Sequence, residues 1–287
     1  PPRSTPLYSS AASDVYKRQI QYNIIFAEKD RFGHDGKFAQ RIAGTNTIMM
    51  YSVKSNKTDG PVAKVGIVKK GKPDKFLFSF EGVVTNIPEL LQFANGAGVN
   101  IMIPNIDGTV RQIPLFVNTD IGTLPNQVLD TLRIINKSSR YKIVANQKGI
   151  QTVFVSKKKS FDTDKNGMFN INFADVKTIK TYSVSDLISN QINLKNKIVI
   201  VGLNSAGLSY LKDTPLGLMT DAKISAQAIE TALTETQLIR NGNTNLIEIV
   251  AVFVLGFLLI VIVPRLGITS TVPVSYTHLT LPTNREV

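Results

Sequence analysis

The run LIEIVAVFVLGFLLIVIV at 246–263 constrains this chain more than any other feature, because it holds a single charge, Glu248, near its start. As a helix it would measure about 27 Å, close to the ~30 Å hydrocarbon core of a bilayer. Residues 249–263 have no polar face, which argues against a surface helix and against its rival, a buried helix of a soluble domain. Pro264 and Arg265 follow at once, giving a stop and a cationic flank. The span is therefore expected to be transmembrane. By the tendency of positive residues to stay inside, the Arg265 side is expected in the cytoplasm and the large preceding region outside. The lysines of that region are no objection, since long domains cross membranes regardless of charge.

The ends of the chain read as something other than protein. Residues 9–19, SSAASDVYKRQ, are the translation of a common transposase-type sequencing adapter, and 274–283, VSYTHLTLPT, translate its reverse complement. Residues 1–5 match the flanking adapter, and 6–8 and 284–286 can be encoded by one index read in opposite directions. We therefore treat 1–19 and 274–287 as adapter-derived, leaving about 20–273 as a reading frame cut at both ends. The two ends hold four of the 33 Lys/Arg and two of the 21 Asp/Glu, so the formal charge falls from +12 to +10. His278 also goes, which leaves His34 as the one histidine.

With no cysteine and no tryptophan, the composition excludes disulfide scaffolds, thiolate metal sites, iron–sulfur clusters and cysteine nucleophiles. A hydrophobic fraction of 43% is enough for a real core. Between 20 and 242 the pattern alternates strand and helix. Strands are expected at 21–27, 47–53, 141–146, 151–156, 168–174 and 197–201, the last a buried parallel strand. Helices are expected at 37–43 with Asp35 as a cap, and at 87–94, 124–135, 184–188 and 225–233. Residues 56–74 read as an exposed excursion. The Asp107-Gly108 pair predicts a hairpin between 99–103 and 109–117. The fold class expected is α/β: one mixed-sheet domain with a β-hairpin insert, followed by a transmembrane helix.

Several motifs invite chemistry and lack a part of it. GLNSAGLS at 202–209 follows a strand, as a phosphate-cradling loop would, but Leu208 stands where the phosphate-binding lysine belongs. A hydrolase elbow on Ser205 fails at Leu203, where a glycine is needed, and His34 lies upstream in the wrong chain order. DTDKNG at 162–167 opens like a calcium loop, yet Phe173 occupies the position of the bidentate carboxylate. A tight turn into the next strand explains the same letters. Gly96-Ala97-Gly98 lacks the third glycine of a dinucleotide fingerprint. The run of Lys157, Lys158 and Lys159 has no interleaved aromatics and reads as a solvated face rather than a nucleic-acid site. No metal site, cofactor or catalytic couple is expected.

Taken in order, these pieces resemble a known family. INF (171–173), SVSDL (183–187), KIVIVG (197–202), TPLG (214–217) and AQAIET (226–231) are similar to the hallmarks of the second half of a type-two CHASE domain, a cyclase- and histidine-kinase-associated extracellular sensory module. NIIFAEKDRFGHDGKFAQRI (23–42) resembles the D-I-L-F-x-E segment of that family, and GVNIMIPNIDG (98–108) with Arg111 resembles its hairpin. Asn23 stands where an aspartate is frequent, and Asp221, Ala222 and Lys223 replace the usual glycine-valine entry to the last helix.

The resemblance implies a sensory, non-enzymatic region, with 20–242 extracytoplasmic, 246–263 in the inner or plasma membrane and 264–273 beyond it. A cyclase or kinase output would lie outside this stretch. The partners expected are an unknown small-molecule or envelope stimulus and the membrane, not nucleic acid, and a homodimer is compatible with the family. Ligand contact is expected at Asn204, Ser205, Ser209, Asp213 and Thr214, where the strand-exit loop and the following segment meet. The rival readings are a membrane-tethered hydrolase and an envelope protein whose α/β domain is structural or binds a partner.

Overall fold

In the computed structural model of the protein, the structure describes residues 19–63, 65–174, 179–190, 192–194, 196–204, 211–238, 244–262 and 265. The chain begins with β1 (Gln19–Asn23), α1 (Asp35–Ala43), β2 (Asn46–Lys54), β3 (Gly66–Lys70), β4 (Gly82–Val84), α2 (Pro88–Leu91) and β5 (Gly96–Val99). It continues with β6 (Gln112–Pro114), β7 (Phe116–Thr119), β8 (Gly122–Pro125), α3 (Gln127–Ile135), β9 (Arg140–Asn146), β10 (Gly149–Phe154), β11 (Ser160–Asp162) and β12 (Met168–Asn170). Then come α4 (Val184–Ser189), β13 (Ile198–Gly202), β14 (Lys212–Thr214), β15 (Gly217–Met219), α5 (Asp221–Thr234) and α6 (Thr244–Ile262). The chain divides into two units, Pro1–Ile239 and Arg240–Val287.

The first unit is built on a mixed sheet. Strands β13, β1, β2 and β5 lie side by side and parallel, and β4 runs antiparallel on the last residues of β2. Side chains alternate across β1, so Tyr22 faces one layer while Gln19 and Gln21 face the other. Tyr22 meets Phe26 and Phe38 of α1 edge-on, at ring separations of 6.0 and 5.6 Å, beside a core of Ile42, Met49, Tyr51, Val83 and Leu90. On the opposite layer α3 and α5 cover the sheet, and Leu129, Leu132, Ile224 and Ala228 join the main core.

Helix α3 lies almost on the backbone of β5. A Cβ built on Gly98 would stand 2.6 Å from the Gln127 nitrogen, and one on Gly96 would stand 2.0 Å from the Asp130 carboxylate. The GAG letters thus answer to helix–strand contact rather than to a nucleotide. A second sheet, ordered β11-β10-β9-β3, places Tyr141, Ile143, Val153 and Phe161 in the main core.

Most expected elements appear with shifted ends, and α5 begins four residues earlier than its amphipathic letters suggest, at Asp221. Three differences have physical causes. The turn at 105–109 forms, closed by Asn105 donating to Thr109 and Gly108 donating to Asn105. Its flanks do not pair into a hairpin, because β5 is taken by β2 and β6 pairs with β12 instead. β13 is parallel to β1 as expected, but as an edge strand it is half-buried rather than buried. Within the expected excursion, 66–70 forms β3, drawn into register beside β9.

Helix α6 is apolar and its side chains at 247–262 are almost all exposed. Among the described residues no helix is long and apolar enough to cross a membrane.

Two buried polar side chains lead to stability predictions. Gln19 is 1% exposed, paired through its backbone on both sides, and neither atom of its amide has a partner. A buried unpaired amide costs about 1–3 kcal/mol. Gln19→Met, similar in volume, is expected to raise the urea midpoint by the equivalent of about 1 kcal/mol or more. Tyr51 is buried with its hydroxyl accepting from the Ala63 N–H at 2.9 Å, and burial pushes it up to about 12. Because the folded value is raised, its contribution is complete below the ordinary pKa of about 10. It is lost as pH climbs from there through the folded value. Denaturation followed between these pH values should show a shallower alkaline loss in Tyr51→Phe than in the parent.

Candidate functional site at the strand ends

Strands β2 and β13 flank β1 on opposite sides, and in open α/β sheets ligands are commonly held outside the carboxyl ends of strands where the order reverses in this way. The last pair in register there is Asn23 with Gly202. Gly202 is required by close approach: a Cβ at this position would stand 2.6 Å from the Ala222 Cβ. The first turn of α5 therefore rests directly on the end of β13.

Neutral polar groups run through this region in one connected path. The Thr131 hydroxyl donates to Gln21 Oε1 at 2.7 Å, Gln21 Nε2 donates to Asn23 Oδ1 at 2.8 Å, and Asn23 Nδ2 donates to Ser225 Oγ at 3.1 Å. Gln127 Nε2 donates to the Tyr22 carbonyl at 2.7 Å. The path joins α3, β1 and α5 at the strand ends. Further along α5, Gln227 exchanges two hydrogen bonds with the Ala174 backbone, and Thr231 Oγ1 accepts from the Asn172 N–H at 3.1 Å. The i, i+4 spacing of these two residues lets α5 grip 172–174 as a neighbouring strand would. At the start of α5, burial holds the Asp221 carboxyl above its ordinary range, while Lys212, 3.8 Å away, pulls it down.

Of the expected ligand residues, Asn204 is exposed two residues beyond the end of β13, and Ser205 and Ser209 lie outside the described residues. Asp213 and Thr214 come together on β14. The Thr214 hydroxyl closes the β14–β15 turn, donating to the Gly217 carbonyl at 2.6 Å and accepting from the Leu216 N–H at 3.3 Å. Asp213 accepts from the Val110 N–H through its carbonyl and from Thr109 Oγ1 through its carboxylate, at 2.8 and 3.1 Å. The DG…R and TPLG motifs thus meet in space. Asp107 in the same loop takes the Thr109 N–H and pairs with Arg111, which together hold its carboxyl below the ordinary range. Among the described residues no hydrogen bond joins Asn204 to Asp213 or Thr214.

The other motifs resolve into local structure. Asp164 accepts from the Asn166 and Met168 N–H groups at 2.8 and 2.9 Å, so DTDKNG forms the tight turn expected of its letters. His34 stands at the start of α1, its N–H donating to Asp30, with its ring stacked on Phe32. Lys159 leaves the lysine run to pair with Glu235 at 2.7 Å. What sequence reasoning missed is the amide and hydroxyl path: Gln21, Gln127, Ser225 and Gln227. Its signal was polar letters at positions whose spacing calls for apolar ones. The path consists of amides and hydroxyls, groups suited to recognition and positioning.

The tight fit at Gly202 can be tested. Gly202→Ala should cost about 1–3 kcal/mol in chemical denaturation. Adding Ala222→Gly should restore most of the loss, a non-additivity expected only if the two positions touch.

The model of the CHASE2 domain family matches residues 14–263. No curated protein matches the chain, and no solved structure matches it.

Proposed function

The chain belongs to the CHASE2 domain family, whose members are extracellular sensory domains of signalling receptors, and from that premise we propose that it is the stimulus-sensing region of a membrane-anchored receptor. The observation that carries this reading is the family match across residues 14–263. Sensing would take place beyond the carboxyl ends of β1 and β13, with Asn204, Ser205, Ser209, Asp213 and Thr214 as the ligand-contacting set and a small molecule or envelope condition as the stimulus. A ligand acts here only through a difference in affinity between two arrangements of the domain. The hydrogen-bonded path from Gln21 through Asn23 to Ser225 supports α5 as the element that such a difference moves.

Membrane anchoring through 246–263 is part of the same reading. It is supported by the uninterrupted apolar letters of 249–263, which give that part of the run no polar face, and by the exposure of Ile249, Val252, Phe253 and Phe257. The output, a cyclase or kinase, would follow on the cytoplasmic side. A second reading, an envelope protein whose α/β domain binds a partner, is favoured by one observation: Leu211, Leu216 and Leu218 are exposed on and beside the β14–β15 ribbon.

Residues 1–287 hold no cysteine, so a single introduced cysteine reports topology once any cysteine outside this stretch has been replaced. In the intact protein in its native membrane, Asn243→Cys is expected to react with a membrane-impermeant maleimide added outside whole cells. Thr269→Cys is expected to react only after permeabilisation. Labelling of position 243 solely from the interior would overturn the sensory reading.

A further inference from the structure

The outer face of the second sheet carries a different site. β9 alternates strictly at its start, with Tyr141 buried and Arg140 and Lys142 turned outward. Register places Val68 of β3, Lys142 of β9 and Phe154 of β10 in one row across three strands. This row is the floor of a groove of about 870 Å³. One wall is the turn at 136–139 after α3, and the other is the turn at 156–158 after β10.

The groove is cationic throughout. Lys137, Arg140, Lys142, Lys157 and Lys158 line it, and no aspartate or glutamate does. Among the described residues none of the five is in an ion pair, in contrast to Lys159 next door, which Glu235 neutralises. Like charges gathered in a concavity repel one another, and the focused positive potential favours an anion of high charge. Hydroxyls are supplied as well: Ser156 Oγ accepts the Lys158 and Lys159 N–H groups at 3.3 and 3.1 Å, which leaves its own proton to donate.

The walls are held rather than loose. Arg133, inside the domain, donates through Nη1 to the Ser138 carbonyl at 3.0 Å, and the Ser138 N–H returns a bond to the Arg133 carbonyl at 3.0 Å. The guanidinium is itself fixed by Asp130 at 2.6 Å. A pre-set wall lowers the ordering cost of binding.

We propose that this groove binds a small soluble polyanion, a molecule carrying two or more phosphate groups. The volume is in the usual small-ligand range of about 300–1,000 Å³. A single-stranded nucleic acid would need open aromatic faces on which to stack. The one aromatic face of the floor, Phe154, is covered by the Lys142 ammonium 5.2 Å from its centre. The site shares no residue with the strand-end set and does not depend on the sensory reading.

The test uses the full chain in non-ionic detergent and inorganic tripolyphosphate as the probe, with binding followed by calorimetry at low and high salt. Lys157→Ala/Lys158→Ala is expected to weaken binding about tenfold or more. Lys37→Ala/Lys75→Ala, which removes the same charge from exposed positions outside the groove, is expected to change it less than twofold. Added salt should weaken binding in the parent. Equal losses in the two double variants would mean that only net charge is being read, and would overturn the proposal. So would an absence of tripolyphosphate binding. Capture of the parent on vesicles of anionic phospholipid through Lys157 and Lys158, with no binding of the soluble probe, would make the face a membrane contact instead and would equally overturn it.

Discussion

Backbone pairing on both edges of β1 is the constraint from which the first unit is built. β13 and β2 lie parallel to it on either side, so the chain must leave β1 in one direction and come back, late in the sequence, to the other. That return sets Gly202 beside Asn23 and brings the start of α5 onto the strand ends. It also covers both faces of β1, the Gln19 and Gln21 side fully and the Ile20 and Tyr22 side in part. The apolar face is answered by the aromatic trio of Tyr22, Phe26 and Phe38, and the other by amides and hydroxyls from α3 and α5. A polar face inside a domain is tolerable only when its groups find partners. Gln21 does and Gln19 does not. Gln19 is also the last letter of the stretch that reads as translated adapter.

A second buried polar centre links the two sheets. Asp130 is fully buried on α3, pairs with Arg133 at 2.6 Å and accepts the Tyr141 hydroxyl from β9. Burial and the Asp130 charge both push the Tyr141 phenol up, so it stays protonated and donates. Arg133 then reaches the Asn95 carbonyl before β5 and the Ser138 carbonyl before β9. A buried pair of this kind contributes little net stability over apolar side chains, yet removing one member leaves an uncompensated charge worth several kcal/mol. Its value here is geometric. It sets where α3 lies on the glycines of β5, and it fixes the turn that walls the cationic groove.

The sequence made much of this legible where local rules decide. The 3.6-residue spacing of Val128, Leu129, Leu132 and Ile135 gave α3, and the continuous KIVIV letters gave a parallel strand. Asp107-Gly108 gave a turn, though its flanking strands chose partners distant in the chain. β3 was illegible for the same reason: GIVKK has no pattern that announces a strand until β9 stands beside it. Of the candidate site, Asp213 and Thr214 lie together on β14 because they are adjacent in the sequence, while the partners of Gln21 and Ser225 were hidden because a polar letter does not say which distant group satisfies it.

The sequence alone determined the element types, the polar and apolar faces, the family and the long apolar run, because each depends on neighbours within a few residues or on the order of short motifs. Tertiary structure decided which strands pair, which glycines are there for close contact, and how five cations from two separate stretches come to line one groove. Those outcomes depend on contacts between residues far apart in the chain. Periodicity cannot report such contacts, since many partners satisfy the same local pattern and only packing selects among them.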